Sequence, residues 1–314
     1  MPKIAVIDNV TLDESDKKRL GSLGKLKIFK GMPKSGKEII SRIGDNEIVV
    51  AGGCDIPAEA MLQAKNLKMI AVWGTGYDHV PLEAAKKKGV VVTNVPGYAA
   101  ESVAEHSFAL MLSVIRKIPQ ANNYVKSGHW RRGDFKGFEL KGKTIGIIGT
   151  GAIGAYVAKL AHCFGMKVIA FTGHPSAEKA KELGLEYVSL EGLLKRSDIV
   201  TIHTPLTPNT KGMLGKKEFG LVKKGAILIN TARAGIIEQK HLIEALESGR
   251  LAGAGLDMLE KEPPEDGPLR RMENIIITPH CGSYTDDAIR RCTDGCIENI
   301  ERFLEGKTQN VVER

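Results

Sequence analysis

The sequence has no apolar stretch approaching the roughly 20 residues that cross a bilayer, which argues against a transmembrane helix. It opens Met1-Pro2-Lys3-Ile4-Ala5-Val6-Ile7-Asp8, which has the pattern of a first strand and none of the features of a signal peptide. A cytoplasmic location without a membrane partner is therefore expected. Cysteine is sparse: the five (Cys54, Cys163, Cys281, Cys292, Cys296) are odd in number and lack CxxC spacing, so reduced thiols are expected. Cys292 and Cys296 share a helical apolar stripe with Ile289, Ile300 and Phe303, which predicts core packing and no metal site. Low-complexity tracts and short repeats are absent. The formal charge is +8, but the basic residues are interspersed with acids along the whole chain. A solvated surface that steers small anions fits this better than a nucleic-acid partner.

What is present is a long alternation of short apolar runs and amphipathic segments. Strands are predicted at 4–7, 26–29, 48–51, 69–73 and 90–93, and again at 144–148, 168–171, 199–203, 226–230, 253–256 and 275–277. Helix-like stretches lie between them, including one long segment at 102–118, a loop follows at 126–135, and a last helix runs over 286–305. Alternation of this kind builds parallel sheets from βα units. At 314 residues, two such domains are expected, with a boundary near residue 100.

The predicted strand 144–148 runs into Gly149-Thr150-Gly151-Ala152-Ile153-Gly154 and then into a helix expected from Ala155 to Phe164. In a strand–loop–helix context the first glycine allows the tight turn, and the second allows close approach of a pyrophosphate. The third allows the helix to pack on the strand, and the phosphate sits at the helix N-terminus. The following strand ends in Phe171-Thr172-Gly173-His174-Pro175, where an NAD site normally places a carboxylate on the adenine ribose. That carboxylate is missing, and His174 and Lys179 offer donors to a 2′-phosphate. NADP is therefore favoured over NAD.

Three segments carry chemistry: Asn230-Thr231-Ala232-Arg233-Ala234-Gly235, Asp257 through Pro264, and Thr278-Pro279-His280-Cys281-Gly282. Each follows an apolar run, at the strand ends where α/β sheets hold ligands. A cation for an anionic substrate (Arg233), a proton carrier (His280) and a carboxylate to hold that carrier (Glu262) are what carbonyl reduction requires. His106, inside a helix, is expected to be packed.

With these motifs in order, together with Trp73-Gly74-Thr75-Gly76-Tyr77-Asp78 and Val103-Ala104-Glu105-His106, the whole chain resembles the D-isomer-specific 2-hydroxyacid dehydrogenases. The resemblance implies an α/β fold of two Rossmann-like domains. A flavodoxin-like substrate domain would comprise 1–98 completed by 286–314, and an inserted doubly wound dinucleotide-binding domain would comprise 99–285. It implies Arg233, Glu262 and His280 as catalytic residues, and Gly74, Thr75, Gly76, Arg233 and His280 as substrate contacts. Cofactor contacts are implied at Gly149, Gly151, Ala152, Ile153, Gly154, Thr172, Gly173, His174, Thr204, Pro205, Thr231, Ala232, Arg233, Asp257, His280 and Gly282. Asp257 would orient the nicotinamide carboxamide, and subunits would dimerise through the cofactor domain.

The expected reaction passes a hydride to C2 of a small 2-oxo acid while His280 protonates the carbonyl oxygen, with domain closure excluding water. Glu262 would orient the imidazole and stabilise its charged form. The Thr172-Gly173-His174-Pro175 turn and the absence of a C-terminal regulatory appendage resemble the NADPH-dependent glyoxylate/hydroxypyruvate reductases. The alternatives are a D-3-phosphoglycerate dehydrogenase or a non-catalytic, dinucleotide-sensing corepressor-like protein. Phosphite-oxidising relatives carry a lysine in the substrate loop, near the place where Thr75 stands.

Overall fold

The structure, a computed structural model, describes residues 1–312. The chain divides into two compact units, Met1–Ala99 with the segment from Thr285 onward, and Ala100–Tyr284. Among the described residues no helix is long and apolar enough to cross a membrane.

The first unit is a parallel sheet of β1 (Lys3–Val6), β2 (Lys25–Ile28), β3 (Ile48–Ala51), β4 (Met69–Val72) and β5 (Val91–Thr93), in the order β2-β1-β3-β4-β5. β3 and β4 are buried along their whole length, which explains their unbroken apolar sequences. Alternate side chains serve two cores. Ala5, Ile7, Val49, Ala51, Ile70 and Val72 join one cluster. Ile4, Val6, Ile48, Val50, Met69 and Ala71 join another, together with Cys292, Cys296, Ile297 and Ile300 of the last helix, Asp286–Leu304. The cysteine pair is thus core packing. Burial raises the Cys296 thiol to about 12, so it stays protonated. Arg290 Nη2 lies 2.6 Å from Asp16, and Arg19 Nη2 lies 2.6 Å from Glu301. These pairs fasten the last helix to the helix Glu14–Leu23. Ile289 and Phe303 are only half-buried on that stripe.

The second unit has seven parallel strands: β6 (Thr144–Ile148), β7 (Lys167–Phe171), β8 (Glu186–Tyr187), β9 (Ile199–Ile202), β10 (Ala226–Asn230), β11 (Leu251–Leu256) and β12 (Ile275–Ile277). Their spatial order is β8-β7-β6-β9-β10-β11-β12. β6 is flanked by β7 on one side and β9 on the other, so the direction of winding reverses at its C-terminal end, where doubly wound sheets bind ligands. Register aligns Ile148, Ile202, Asn230, Leu256 and Ile277 in one row across five strands. Every loop that follows therefore leaves the same end of the sheet.

The long helix differs from the sequence expectation. It spans Ala100–Arg116, Lys117 turns left-handed (φ 50°), and a separate helix occupies Ile118–Lys126 with proline in its first turn. Pro119 explains the break, since it lacks an N–H and its ring clashes with the carbonyl of the preceding turn. Within the long helix Ser107 and Leu110 face inward, whereas Ala109 is exposed. The helix Ala100–Arg116 lies close against β11 because β11 has glycines there. A Cβ at Gly253 would sit 2.7 Å from Val114 Cγ1, and one at Gly255 would sit 2.9 Å from Leu110 Cβ.

Candidate active site

The loop after β6 has the shape its glycines predict. Gly149 has a φ of 95°, and a Cβ there would meet the His203 carbonyl oxygen at 2.6 Å, so the turn is open only to glycine. Gly154 packs so closely that a Cβ would lie 2.0 Å from the Gly149 carbonyl oxygen. At Gly151 the corresponding space is open: beyond its chain neighbours, a Cβ there would meet no atom of the described residues within 4 Å. The helix Ala152–Cys163 begins there without a side-chain cap, three residues earlier than expected, so Ala152 and Ile153 form its first turn. Open space beside uncapped first-turn N–H groups fits a phosphate.

At the end of β7, Thr172 is half-buried while Gly173 and His174 are exposed. The nearby acid Glu178 accepts from Ser176 Oγ at 2.7 Å. Thr204 and Pro205 follow β9, and the Pro205 carbonyl accepts from Thr210 Oγ1 at 2.7 Å. His203, just before them, is buried, with Nε2 2.8 Å from Thr201 Oγ1 and, among the described residues, no partner for Nδ1. Burial lowers its pKa from 6.5 to about 3.

The three chemical segments leave adjacent strands β10, β11 and β12. Asn230, buried at the end of β10, staples its own loop: its Oδ1 accepts from Ala232 N at 3.0 Å and its Nδ2 donates to the Arg233 carbonyl at 2.9 Å. Thr231 Oγ1 lies 2.9 Å from Ser107 Oγ, which ties the loop to the helix Ala100–Arg116. Arg233 is half-buried and donates from Nη1 to the Ala232 carbonyl at 2.8 Å. After β11, Glu262 accepts from Leu259 N at 3.2 Å through Oε1 and lies 2.9 Å from His280 Nδ1 through Oε2. A carboxylate accepts, so Nδ1 carries the proton and Nε2 is left to exchange one. The His280 and Glu262 side chains are 48% and 40% exposed, which leaves them accessible to a substrate.

Asp257 is buried and holds the His280 turn. It accepts from Thr278 Oγ1 at 2.5 Å, Cys281 N at 3.0 Å and Gly282 N at 2.8 Å, and His106 Nε2 lies 3.3 Å away. Burial pushes the Asp257 carboxyl up. The hydrogen bonds from His106, Thr278, Cys281 and Gly282 outweigh that and hold it below the usual carboxylate range. Gly282 allows this approach, since a Cβ there would meet Asp257 Oδ2 at 2.9 Å. Burial and the Asp257 charge raise the neighbouring Cys281 thiol. The hydrogen bonds of His106 are the feature that helix periodicity alone missed.

Gly74, Thr75 and Gly76 lie in the first unit, in the loop after β4. Thr75 Oγ1 donates to the Val95 carbonyl at 2.8 Å, and Asn94 Nδ2 donates to the Thr75 carbonyl at 2.8 Å. Trp73 Nε1 donates to Thr293 Oγ1 at 2.9 Å, and its ring packs on the core.

His203 predicts a pH response. Below pH 6.5 the unfolded chain takes up a proton that the folded chain refuses until about pH 3. Its contribution is complete above pH 6.5 and declines as the pH falls toward 3. Between pH 7 and pH 5 the loss at this site is about 2 kcal/mol. Denaturant midpoints at the two pH values are expected to fall for the parent chain and to fall less for His203→Asn; equal drops would contradict this.

Residues 108–282 match the family described as D-isomer specific 2-hydroxyacid dehydrogenase, NAD binding domain. The chain is 41% identical over 259 residues to a glyoxylate reductase of Thermococcus litoralis, covering 80% of this chain and 78% of that protein. It is 41% identical over 315 residues to a D-3-phosphoglycerate dehydrogenase of Methanocaldococcus jannaschii, covering 99% of this chain but only 59% of that longer protein. Among solved structures it resembles an acyclic imino acid reductase in complex with NADPH and D-Arg, with a TM-score of 0.92 and 32% identity over 99% of this chain and 100% of the other. The second unit is thus a nicotinamide-dinucleotide-binding domain, and the chain belongs to the D-isomer-specific 2-hydroxyacid dehydrogenases.

Proposed function

We propose that the protein reduces a small 2-oxo acid to the D-2-hydroxy acid, with glyoxylate and hydroxypyruvate as favoured substrates and NADPH as favoured cofactor. The observation that carries the reaction type is the 2.9 Å pairing of His280 Nδ1 with Glu262, on loops that follow β12 and β11, in one row of strands with β10, which presents Arg233. When bound, the reduced nicotinamide supplies a hydride for C2. His280, held by Glu262, releases the Nε2 proton to the carbonyl oxygen and takes it back in the reverse direction. The Arg233 guanidinium draws the substrate carboxylate and steadies the charge that grows on the reacting oxygen. Gly74, Thr75 and Gly76 are assigned to the carboxylate as well, through backbone N–H groups.

The cofactor is assigned to Gly149, Gly151, Ala152, Ile153 and Gly154 at the pyrophosphate, with Thr204 and Pro205 on the adenosine side. Thr231, Ala232, Asp257 and Gly282 are assigned to the nicotinamide end. The NADPH preference rests on Thr172, Gly173 and His174, where no carboxylate repels a 2′-phosphate. Dimerisation through the cofactor domain is supported by the helix Ile118–Lys126, which has no buried residue. Nearby, Ile118, Val125 and Trp130 are 54%, 47% and 89% exposed, apolar surface that a second copy would cover.

A panel of glyoxylate, hydroxypyruvate, phosphohydroxypyruvate and pyruvate with each reduced cofactor tests the substrate. Turnover of phosphohydroxypyruvate alone would overturn the assignment. His280→Ala is expected to lower kcat by about a hundredfold or more with little change in cofactor binding. Near-normal turnover in that variant would contradict the role of His280. Thr172→Asp is expected to move the ratio of KM values toward NADH by about tenfold through charge repulsion. A parent enzyme that already prefers NADH would overturn the cofactor assignment.

A further inference from the structure

The turn Thr278–Gly282 presents His280 with a left-handed backbone, φ 54°, which a residue bearing a Cβ adopts only when its surroundings impose it. Its supports come from Asp257 and from the first turns of the helix Ala100–Arg116. Ser102 Oγ donates to the Gly282 carbonyl at 2.7 Å, and His106 Nε2 lies 3.0 Å from Thr278 Oγ1. The direction of each hydrogen bond follows from the groups involved. Backbone N–H groups donate to both Asp257 oxygens, Cys281 N to Oδ1 and Gly282 N to Oδ2. The carboxylate is therefore an acceptor throughout, and the Thr278 hydroxyl spends its one proton on Oδ1, 2.5 Å away. The Thr278 oxygen then has only lone pairs to offer His106, so Nε2 must be the ring nitrogen that carries hydrogen.

We propose that His106 is a positioning residue for His280, acting through a one-way chain from His106 Nε2–H to Thr278 Oγ1–H to the Asp257 carboxylate. The chain fixes the Thr278 side chain two residues before His280 and keeps Asp257 available to the Cys281 and Gly282 N–H groups after it. Both ends of the strained turn are thereby held, and with them the direction in which the imidazole meets Glu262. His106, Asp257 and Cys281 offer ligand-type atoms within 4.8 Å of one another. The Thr278 hydroxyl already bridges the first two, so the cluster is satisfied as a hydrogen-bond chain and not as an ion site.

This proposal rests on His280 being the proton carrier, and its test separates the two. In the full-length protein, His106→Leu keeps an apolar body and removes the donor, whereas His106→Gln restores an N–H at similar reach. With glyoxylate and NADPH, or with whichever pair the panel identifies, His106→Leu is expected to lower kcat by about 10- to 100-fold while KM changes little. His106→Gln is expected to recover most of that loss at an unchanged melting temperature. Nitrogen-15 imidazole spectra of the parent protein should show hydrogen on Nε2 of His106, and the His280 resonances should move in His106→Leu. Parent-like kcat in His106→Leu, or a bare Nε2 on His106, would overturn the positioning role. If His280→Ala itself keeps normal turnover, the functional reading falls, and the His106 spectrum still decides whether the chain exists.

Discussion

A single buried carboxylate organises the turn that carries His280. Asp257 stands at the end of β11 and gathers three donors from the turn after β12, with His106 from the long helix a fourth neighbour. Leaving a carboxylate in a buried place is costly unless it is surrounded by donors, and here the donors are the turn itself. Folding the turn and accommodating the charge are therefore one event. The result is a histidine in a left-handed conformation, paired with Glu262. Asn230 plays a related part on the neighbouring loop, where one amide holds Ala232 and the carbonyl of Arg233.

These local devices produce a site because the sheet delivers their loops to one end. The register row from Ile148 to Ile277 fixes where each strand stops, so the dinucleotide loop, Thr204–Pro205, Arg233, Glu262 and His280 all follow residues at the same level. Parallel strands carried by βα crossovers make this arrangement available to many chemistries, and the residues after each strand choose among them. The glycine loop shows the same division of labour, with Gly149 and Gly154 closing backbone against backbone while Gly151 keeps open space.

Much of this was legible from the chain itself. The inner strands of both sheets read as apolar runs because burial on both faces demands it, and Gly149, Gly151 and Gly154 stand between a strand and a helix, the context a phosphate loop needs. Arg233, Glu262 and His280 could be singled out because their chemistry is specific and each follows a strand. Less legible were features set by contacts distant in sequence. The two-residue strand Glu186–Tyr187 is too short for any periodicity to appear. The break at Lys117 is signalled by Pro119, but the separate helix Ile118–Lys126 buries no residue and so offers no apolar face to read. His106 looked like one more packed helical residue, because its partner Thr278 is 172 positions away.

The central claim is that this site moves a hydride onto C2 of a 2-oxo acid and does not merely hold a dinucleotide. Its most direct test is single-turnover reduction of glyoxylate or hydroxypyruvate with reduced cofactor carrying deuterium at the transferring position of the nicotinamide C4. Mass and NMR analysis of the product should find one deuterium, bonded to C2, and for hydroxypyruvate the product should have the D configuration. Stoichiometric binding of the cofactor with no labelled hydroxy acid formed from any 2-oxo acid would contradict the account.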